Sequence, residues 1–204
     1  MARYIESTCK VCARCGDKLM LKGNRCLTPK CAVERRRRGQ TRRRRISDRG
    51  LQLIEKQKAR CTYGMLERQF RRFFAMAERQ AGITGENLEV LLERRLDNVV
   101  YRLGFADSRP QARQLVQHGH IRLNEHKNDI PSCLIREGDT ISWRESSTKT
   151  EYYKQLVESV KGKAVAGWLS LDRDKLVGKV VNLPTPDEIG ANFNVKVIVE
   201  YYSR

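Results

Sequence analysis

Five cysteines lie within the first 31 residues, and four of them form two closely spaced pairs, Cys9/Cys12 and Cys26/Cys31. Two short pairs of thiolates are the usual way to assemble the tetrahedral shell of a structural zinc ion. The fifth thiol, Cys15, could replace Cys12 or remain unligated beside the site. Four thiolates would also suit an iron–sulfur cluster. The pattern therefore predicts a structural metal centre, with a set of unligated cysteines as the less favoured alternative.

A dense run of arginines follows the last of these cysteines. Residues 1–50 hold 16 Lys and Arg against 4 Asp and Glu, and so carry most of the net charge of +17. Guanidinium groups bind phosphate through paired hydrogen bonds and stack on bases, which favours a nucleic-acid partner. A membrane partner is disfavoured because no adjacent amphipathic helix carries large apolar residues. The candidate phosphate contacts in the run are Arg35, Arg36, Arg37, Arg38, Arg42, Arg43, Arg44 and Arg45.

Composition narrows the class of protein further. The chain has 204 residues, of which 40% are hydrophobic and 32% charged, so it is long enough to bury a core. It contains no apolar run near the roughly 20 residues that cross a bilayer, and no apolar stretch typical of a signal peptide. Its seven cysteines are an odd number and are crowded at one end, which indicates a reducing compartment. We therefore expect a cytoplasmic protein without a membrane partner.

A second group of basic and polar side chains lies in the middle of the chain. Arg109 and Arg113 are four residues apart, which places them on one face of a helix. The turn His118-Gly119-His120 then leads towards a strand that carries Arg122, so these side chains can line a single edge. No nucleophile stands beside a base in a catalytic pattern, which favours a binding protein over an enzyme.

Helical periodicity comes before strand periodicity along most of the chain, which predicts an α+β fold. Capping residues and glycines mark the ends of the predicted elements. The predicted helices cover residues 47–63, 66–80, 84–104, 108–119 and 151–160. The predicted strands include residues 121–123, 141–143 and 195–202.

Several stretches match a known family in order and in spacing. The longest is Arg95-Leu96-Asp97-Asn98-Val99-Val100-Tyr101-Arg102-Leu103-Gly104-Phe105, and it is followed by Ser108-Arg109, Gln111-Ala112-Arg113-Gln114-Leu115-Val116 and His118-Gly119-His120-Ile121. The opening Ala2-Arg3-Tyr4 and the ending Tyr202-Ser203-Arg204 match as well. The chain resembles, over its whole length, the bacterial-type small-subunit ribosomal protein S-four family in its cysteine-bearing, zinc-binding form.

The resemblance implies partners that spacing alone does not give. Members of this family bind the five-prime domain of small-subunit ribosomal RNA early in assembly. They later lie near the mRNA entry channel beside the S-five protein and affect decoding accuracy. Their metal ligands match Cys9, Cys12, Cys26 and Cys31, which makes Cys15 the extra thiol. The RNA contacts expected outside the arginine run are Lys56, Lys58, Arg68, Arg71, Arg72, Arg109, Arg113, His118, His120, Arg122, Asn124 and Lys127.

The resemblance also implies a division of the chain into three parts. Residues 1–46 are a metal-stapled knuckle with the arginine-rich segment, and they hold too few apolar residues to build a core without the metal. Residues 47–93 form a small helical domain, onto which the tail 198–204 is expected to pack back. Residues 94–197 form an RNA-binding domain built from helices and an antiparallel sheet.

Two other classes of protein could share these features. An RNA-modifying enzyme can carry the same RNA-binding module, but about sixty residues after the module are too few for a catalytic domain. A zinc-dependent DNA-binding regulator would also use the arginine run, although the central module argues against it. One departure from the family bears on the fold: Glu125 stands where a turn glycine is common, and a side chain resists the positive φ of such a turn.

Overall fold

The computed structural model describes residues 7–38 and 46–203, with the backbone alone for residues 36–38. These residues form two compact units. One unit comprises the described residues up to Glu89 together with those from Gly190 onwards, and the other is Val90–Ile189. This division differs from the predicted one, since the cysteine-rich segment and residues 190–197 both belong to the first unit. No described helix is long and apolar enough to span a membrane.

Ten helices and five strands make up the described chain. The helices are α1 Thr8–Cys15, α2 Ala32–Arg38, α3 Asp48–Thr62, α4 Glu67–Glu78, α5 Thr84–Glu93, α6 Leu96–Arg102, α7 Arg109–Gln117, α8 Glu151–Val160, α9 Pro186–Ile189 and α10 Val195–Tyr202. The strands are β1 Ile121–Leu123, β2 His126–Lys127, β3 Thr140–Trp143, β4 Leu169–Asp172 and β5 Val177–Val180. The predicted α+β class is therefore confirmed.

The C-terminal residues of the first unit form a helix, so the predicted strand over residues 195–202 is wrong. Valine and tyrosine favour strands, but that preference is weak and depends on packing. Asn194 caps α10, because its side chain accepts hydrogen bonds from the backbone amides of Lys196 at 3.0 Å and Val197 at 3.4 Å. Contact with α3, with Ile198 fully buried, then decides the conformation.

The cysteine-rich segment also has more apolar support than its composition suggests. Val11, Leu19, Leu21 and Val33 are buried in one cluster together with Cys12 and Cys15, and Cys61 of α3 packs against it. The described residues of this segment therefore contain a small apolar cluster that the composition did not predict. Few side chains suffice here because α3 covers part of the cluster.

The predicted helix over residues 84–104 is interrupted after Glu93. The chain between α5 and α6 bonds instead to the segment that precedes β3: the amide of Leu96 donates to the carbonyl of Cys133 at 2.8 Å, and the amide of Ile135 donates to that of Arg94 at 3.0 Å. Both helices bury an apolar face, so the hydrophobic stripe continues across the break. Periodicity alone could not locate this interruption.

The second unit is built on an antiparallel sheet with the strand order β2-β1-β3-β5-β4. Its core joins α6, α7 and α8 to the sheet through Val100, Val116, Ile141 and Leu156. Gly178 allows β5 to lie close to this core, because a Cβ there would lie 2.5 Å from Leu103 Cδ1. Strands β4 and β5, of four residues each, were not predicted.

The turn between β1 and β2 is closed by Asn124 and Glu125, both with positive φ, at 49° and 66°. Two positive φ values in a two-residue hairpin define the type I′ turn, which normally has glycine at its second position. We expect Glu125→Gly to stabilise the second unit by about 0.5–1 kcal/mol, because relief of the left-handed strain exceeds the added entropy of the unfolded chain. Denaturant unfolding followed by tryptophan fluorescence measures the change.

The control for this variant is Glu125→Ala. It removes the carboxylate and leaves a Cβ in the left-handed conformation, so we expect no gain in stability. If the alanine variant were as stable as the glycine variant, the charge of Glu125 and not its backbone would be the source of the strain.

Candidate nucleic-acid interface

The α6–α7 region of the second unit is organised around two buried carboxylates. The first is Asp97, in the first turn of α6. Arg95 Nε donates to Asp97 Oδ1 at 3.0 Å, and Arg95 Nη2 lies 2.7 Å from Asp97 Oδ2. Nη1 of Arg113, a residue of α7, donates to the same Oδ2 atom at 3.3 Å. The carboxylate of Asp97 therefore holds one fully buried guanidinium and one at the surface.

The second carboxylate is Glu93, whose side chain is fully buried at the end of α5. It accepts hydrogen bonds from Arg102 Nε at 2.7 Å and from Asn98 Nδ2 at 2.9 Å. Arg109 lies 3.7 Å from its other oxygen, donates to Asn98 Oδ1 at 2.7 Å, and lies 4.7 Å from the centre of the Tyr101 ring. These three contacts, with Glu93, Asn98 and Tyr101, hold the guanidinium group of Arg109 in place.

The two predicted contacts on α7 are thus neighbours, as their spacing indicates, but neither is a freely moving surface charge. Arg109 and Arg113 each keep 16% of the side chain exposed. Four arginines contact two carboxylates in this network. Positively charged side chains that are already ordered can bind phosphate at little entropic cost.

The turn after α7 brings the two histidines together. His118 is exposed, and its ring centre lies 6.0 Å from that of His120. His120 Nδ1 is 2.9 Å from Ser147 Oγ, and its ring lies 6.4 Å from that of Trp143. Burial, followed by electrostatic repulsion from His118 and Arg144, lowers the pKa of His120. The imidazole of His120 is therefore neutral at pH 7 and presents a ring without a charge.

The predicted contacts on β1 and β2 differ in what they can offer. Arg122 Nη1 lies 3.0 Å from the exposed carboxylate of Glu145, a pairing that water weakens. Lys127 is exposed beside Gly119. Asn124 belongs to the hairpin itself: it donates to Asp139 at 2.7 Å and accepts from the amide of Thr140 at 2.9 Å. The side-chain amide of Asn124 therefore joins the β1–β2 turn to Asp139 and Thr140 at the start of β3.

In the first unit, two of the predicted contacts form internal ion pairs. Lys56 is buried, with its ammonium 2.8 Å from Glu67 Oε1, so we assign it a structural role. Lys58 lies 2.7 Å from Glu55 and 2.8 Å from Asp17, and thereby ties α3 to the chain that follows α1. The exposed basic candidates of this unit are Arg35, Arg68, Arg71 and Arg72. The side chains of Arg36, Arg37 and Arg38, and all of Arg42, Arg43, Arg44 and Arg45, lie outside the described residues.

The predicted metal ligands lie around Cys12. Burial raises the pKa of Cys12, a backbone hydrogen bond lowers it, and the nearby thiols of Cys26, Cys9 and Cys31 raise it further. Burial, followed by Cys61, raises the pKa of Cys15 to about 11. The four thiols are the donor set that zinc prefers. Within residues 7–38 and 46–203, however, no three or more His, Cys, Asp or Glu side chains are placed to hold a metal ion.

Comparison with known proteins gives the family. Residues 3–93 match the ribosomal protein S4/S9 N-terminal domain, and residues 94–141 match the S4 domain. The chain is 55% identical to small ribosomal subunit protein uS4 of Dehalococcoides mccartyi, 51% to that of Syntrophomonas wolfei and 50% to that of Thermus thermophilus, over the full length of each pair. The S-four family expected from the sequence is thereby confirmed, while its zinc-binding form stays a prediction. The chain belongs to the uS4 family of small-subunit ribosomal proteins.

Proposed function

We propose that this chain is a structural, non-catalytic constituent of the small ribosomal subunit that binds ribosomal RNA. The observation that carries the proposal is a run of basic residues in the S4-domain unit, with Arg109 and Arg113 on α7 and His118, His120 and Arg122 in the turn and strand that follow; we call these residues the basic edge. Membership in a family of ribosomal proteins favours this role over an RNA-modifying enzyme or a DNA-binding regulator. The chain would then work in the cytoplasm.

The edge suits the shape and charge of folded RNA. Double-stranded RNA is recognised mainly through its phosphates and 2′-hydroxyls, since its deep major groove is closed to side chains. The guanidinium groups of Arg109 and Arg113 would meet phosphates in a preset geometry, while the neutral ring of His120 would contact a sugar or base. Asp97 and Glu93 would keep those groups in place when RNA is absent.

More specific features of the role also belong to this proposal. By its resemblance to the family, the chain would bind the five-prime domain of small-subunit ribosomal RNA early in assembly. It would later contact the S-five protein and lie near mRNA at the entry channel, where it would affect decoding accuracy. The exposed arginines Arg68, Arg71 and Arg72 of α4 give the first unit a basic surface of its own.

The proposal includes a zinc ion held by Cys9, Cys12, Cys26 and Cys31. It is supported by the type and spacing of the four donors in the sequence. The ion would draw these thiolates together and fix the chain before the arginine run. An iron–sulfur cluster on the same four thiolates is the alternative.

Binding to the five-prime domain of small-subunit ribosomal RNA, in excess unrelated structured RNA and across a salt series, tests the function. We expect specific binding that survives the competitor at moderate salt. If about six arginines engage phosphates, log K falls with log[salt] at a slope of about −4 to −5. Binding that the competitor abolishes, with only the steep slope left, would identify a nonspecific polyanion binder.

A further inference from the structure

Two cysteines of the first unit have no part in the proposed zinc site. Cys15 is the last residue of α1, and Cys61 lies in the last turn of α3. Cys15 is buried, with 8% of the residue exposed, and Cys61 is half-buried. Both carry free thiols. Since neither is among the four proposed ligands, their thiols are available for other chemistry.

The packing of α1 on α3 brings these two cysteines together. Cys61 packs against the apolar cluster that contains Cys15. Lys58, three residues before Cys61 on α3, has its Nζ atom 2.8 Å from the carboxylate of Asp17, two residues after Cys15. Residues three apart share a helix face, so this ion pair holds the Cys61 face of α3 against the chain that follows Cys15.

The electrostatics of Cys15 agree with this placement. Burial raises the pKa of Cys15 most, and the thiol of Cys61 then raises it more than that of Cys12 does. Cys12 lies only one helical turn away on α1, so a larger influence from another helix indicates a neighbour at short range. The end of α1 and the end of α3 therefore place two thiols side by side.

The surroundings of the two thiols decide which of them meets a reagent first. Cys61 is half-buried, and Arg60 Nη2 lies 3.8 Å from its sulfur. A guanidinium group at this position stabilises the thiolate, which is the reactive form. Cys15 has little surface in contact with solvent. We therefore expect Cys61 to react with small molecules, and Cys15 to react with Cys61.

We propose that Cys15 and Cys61 are a redox-sensitive pair, which a low-molecular-weight disulfide converts into a disulfide bond between α1 and α3. The thiolate of Cys61 attacks one sulfur of the small disulfide, and the other sulfur leaves as a thiolate that takes up a proton. The thiolate of Cys15 then attacks the sulfur of Cys61, and the second small thiol leaves in the same way. Two protein thiols are oxidised to one disulfide, and one small disulfide is reduced to two thiols.

The bond would hold the cysteine-rich segment to α3 without a metal ion. The two cysteines are far apart in the chain, so the bond would remove much of the freedom of the unfolded chain. In a reducing compartment the two thiols stay reduced, and the bond forms only when small disulfides accumulate. This inference depends neither on RNA binding nor on zinc.

The first test maps the bond in the full-length protein as purified, after incubation with oxidised glutathione. Burial raises the pKa of both thiols, so the incubation is run at about pH 8.5 to increase the thiolate fraction. Trypsin cleaves after Lys and Arg, so Cys12, Cys15 and Cys61 fall on three peptides, which are residues 11–14, 15–18 and 61–68. Mass spectrometry without reduction identifies the peptides that are joined.

We expect the peptide that contains Cys15 to be joined to the peptide that contains Cys61. A bond between Cys12 and Cys15 would overturn the proposal, because it would lie within α1 and leave α3 out. Glutathione that stays on Cys61 beside a free Cys15 would overturn it as well, since a neighbouring thiol displaces glutathione.

Cys61→Ser and Cys133→Ser are the matched variants for this test. Each removes one half-buried thiol, but Cys133 belongs to the second unit. We expect Cys61→Ser to abolish the bond at Cys15, and Cys133→Ser to form the Cys15–Cys61 bond as the wild type does. Equal loss in the two variants would show that oxidation is not selective and would overturn the pair.

The second test measures hydrogen exchange of α1 before and after oxidation. The oxidant is removed and EDTA is added, so that a metal ion contributes nothing. Because disulfides typically stabilise the state that they join, we expect the amides of α1 to exchange about 30-fold more slowly after oxidation. Cys61→Ser should show no change. Equal slowing in Cys61→Ser, or a bond in the wild type without slower exchange, would overturn the proposed role of the bond.

Discussion

Asp97→Asn is expected to lower the free energy of unfolding of the second unit by about 3–5 kcal/mol, the usual cost of leaving a buried charge without its partner. The carboxylate of Asp97 is bidentate with Arg95, which has no exposed surface, and it also binds Arg113. Asparagine has nearly the same shape, so the substitution removes the charge and creates no cavity. The buried guanidinium of Arg95 would then lose the charged carboxylate to which it binds through two nitrogen atoms.

The matched control is Glu145→Gln, which also neutralises a carboxylate paired with an arginine of the second unit. The side chain of Glu145 is 86% exposed, so its ion pair with Arg122 contributes little. We expect a change within about 0.5 kcal/mol. Both tryptophans of the chain, Trp143 and Trp168, lie in this unit, so their fluorescence during denaturant unfolding reports on it alone. Similar losses in the two variants would show that Asp97 behaves as a surface charge.

The same network bears on RNA binding. Asp97 holds Arg113, and Glu93 holds Arg109, so the acids that stabilise the unit also orient its proposed phosphate contacts. Alanine at Arg109 or Arg113 would therefore disturb a buried network and remove a contact at once. Affinity measurements on such variants have meaning only beside a measurement of their stability.

The sequence predicted the elements in which local and tertiary signals agree. Helix α3 has its predicted serine N-cap, with the hydroxyl of Ser47 accepting from the amide of Gly50, and α8 spans Glu151–Val160 as predicted. Strand β3 alternates partly exposed and buried side chains, and the β1 strand that pairs with it buries Ile121. Family motifs spaced along the whole chain gave the family itself, because they depend on the order of residues and not on packing.

The secondary-structure predictions were wrong where tertiary contacts determine the conformation of the chain. A valine-rich segment became helix α10 because α3 offered it a packing surface. The break between α5 and α6 is made by hydrogen bonds to Pro131 and Cys133, more than thirty residues further along the chain. No pattern within α5 or α6 contains that information.

The shared helix face of Arg109 and Arg113 was predicted, but the electrostatic environment of these two residues was not. A sequence shows that Arg109 and Arg113 share a helix face, but it cannot show that Glu93 and Asp97 are buried beneath them. Acidic residues at helical spacing ordinarily indicate a solvated face. The burial of Lys56 could not be predicted for the same reason, since a lysine in a basic region is rarely buried.

Cys12→Ser is expected to abolish metal binding in the N-terminal segment. We expect the wild-type protein to hold about one equivalent of zinc, as four thiolates bind one ion, and the variant to hold almost none. Zinc binding in small metal-dependent domains provides roughly 10–16 kcal/mol, which is largely folding free energy. The cluster of Val11, Leu19, Leu21 and Val33 is small beside that amount, so residues 7–38 should lose protection from hydrogen exchange. The tryptophan fluorescence of the second unit should not change.

Cys15→Ser is the control that makes this test specific, since Cys15 is buried in the same cluster and lies three residues from Cys12. If Cys9, Cys12, Cys26 and Cys31 are the ligands, Cys15→Ser keeps its zinc and its exchange protection. Loss of zinc in Cys15→Ser and its retention in Cys12→Ser would put Cys15 in the site in place of Cys12. Bound iron together with visible absorbance would show that the site holds an iron–sulfur cluster and not zinc. A metal-free wild type with full protection would mean that the apolar cluster holds the segment alone, and that the two cysteine pairs are not ligands.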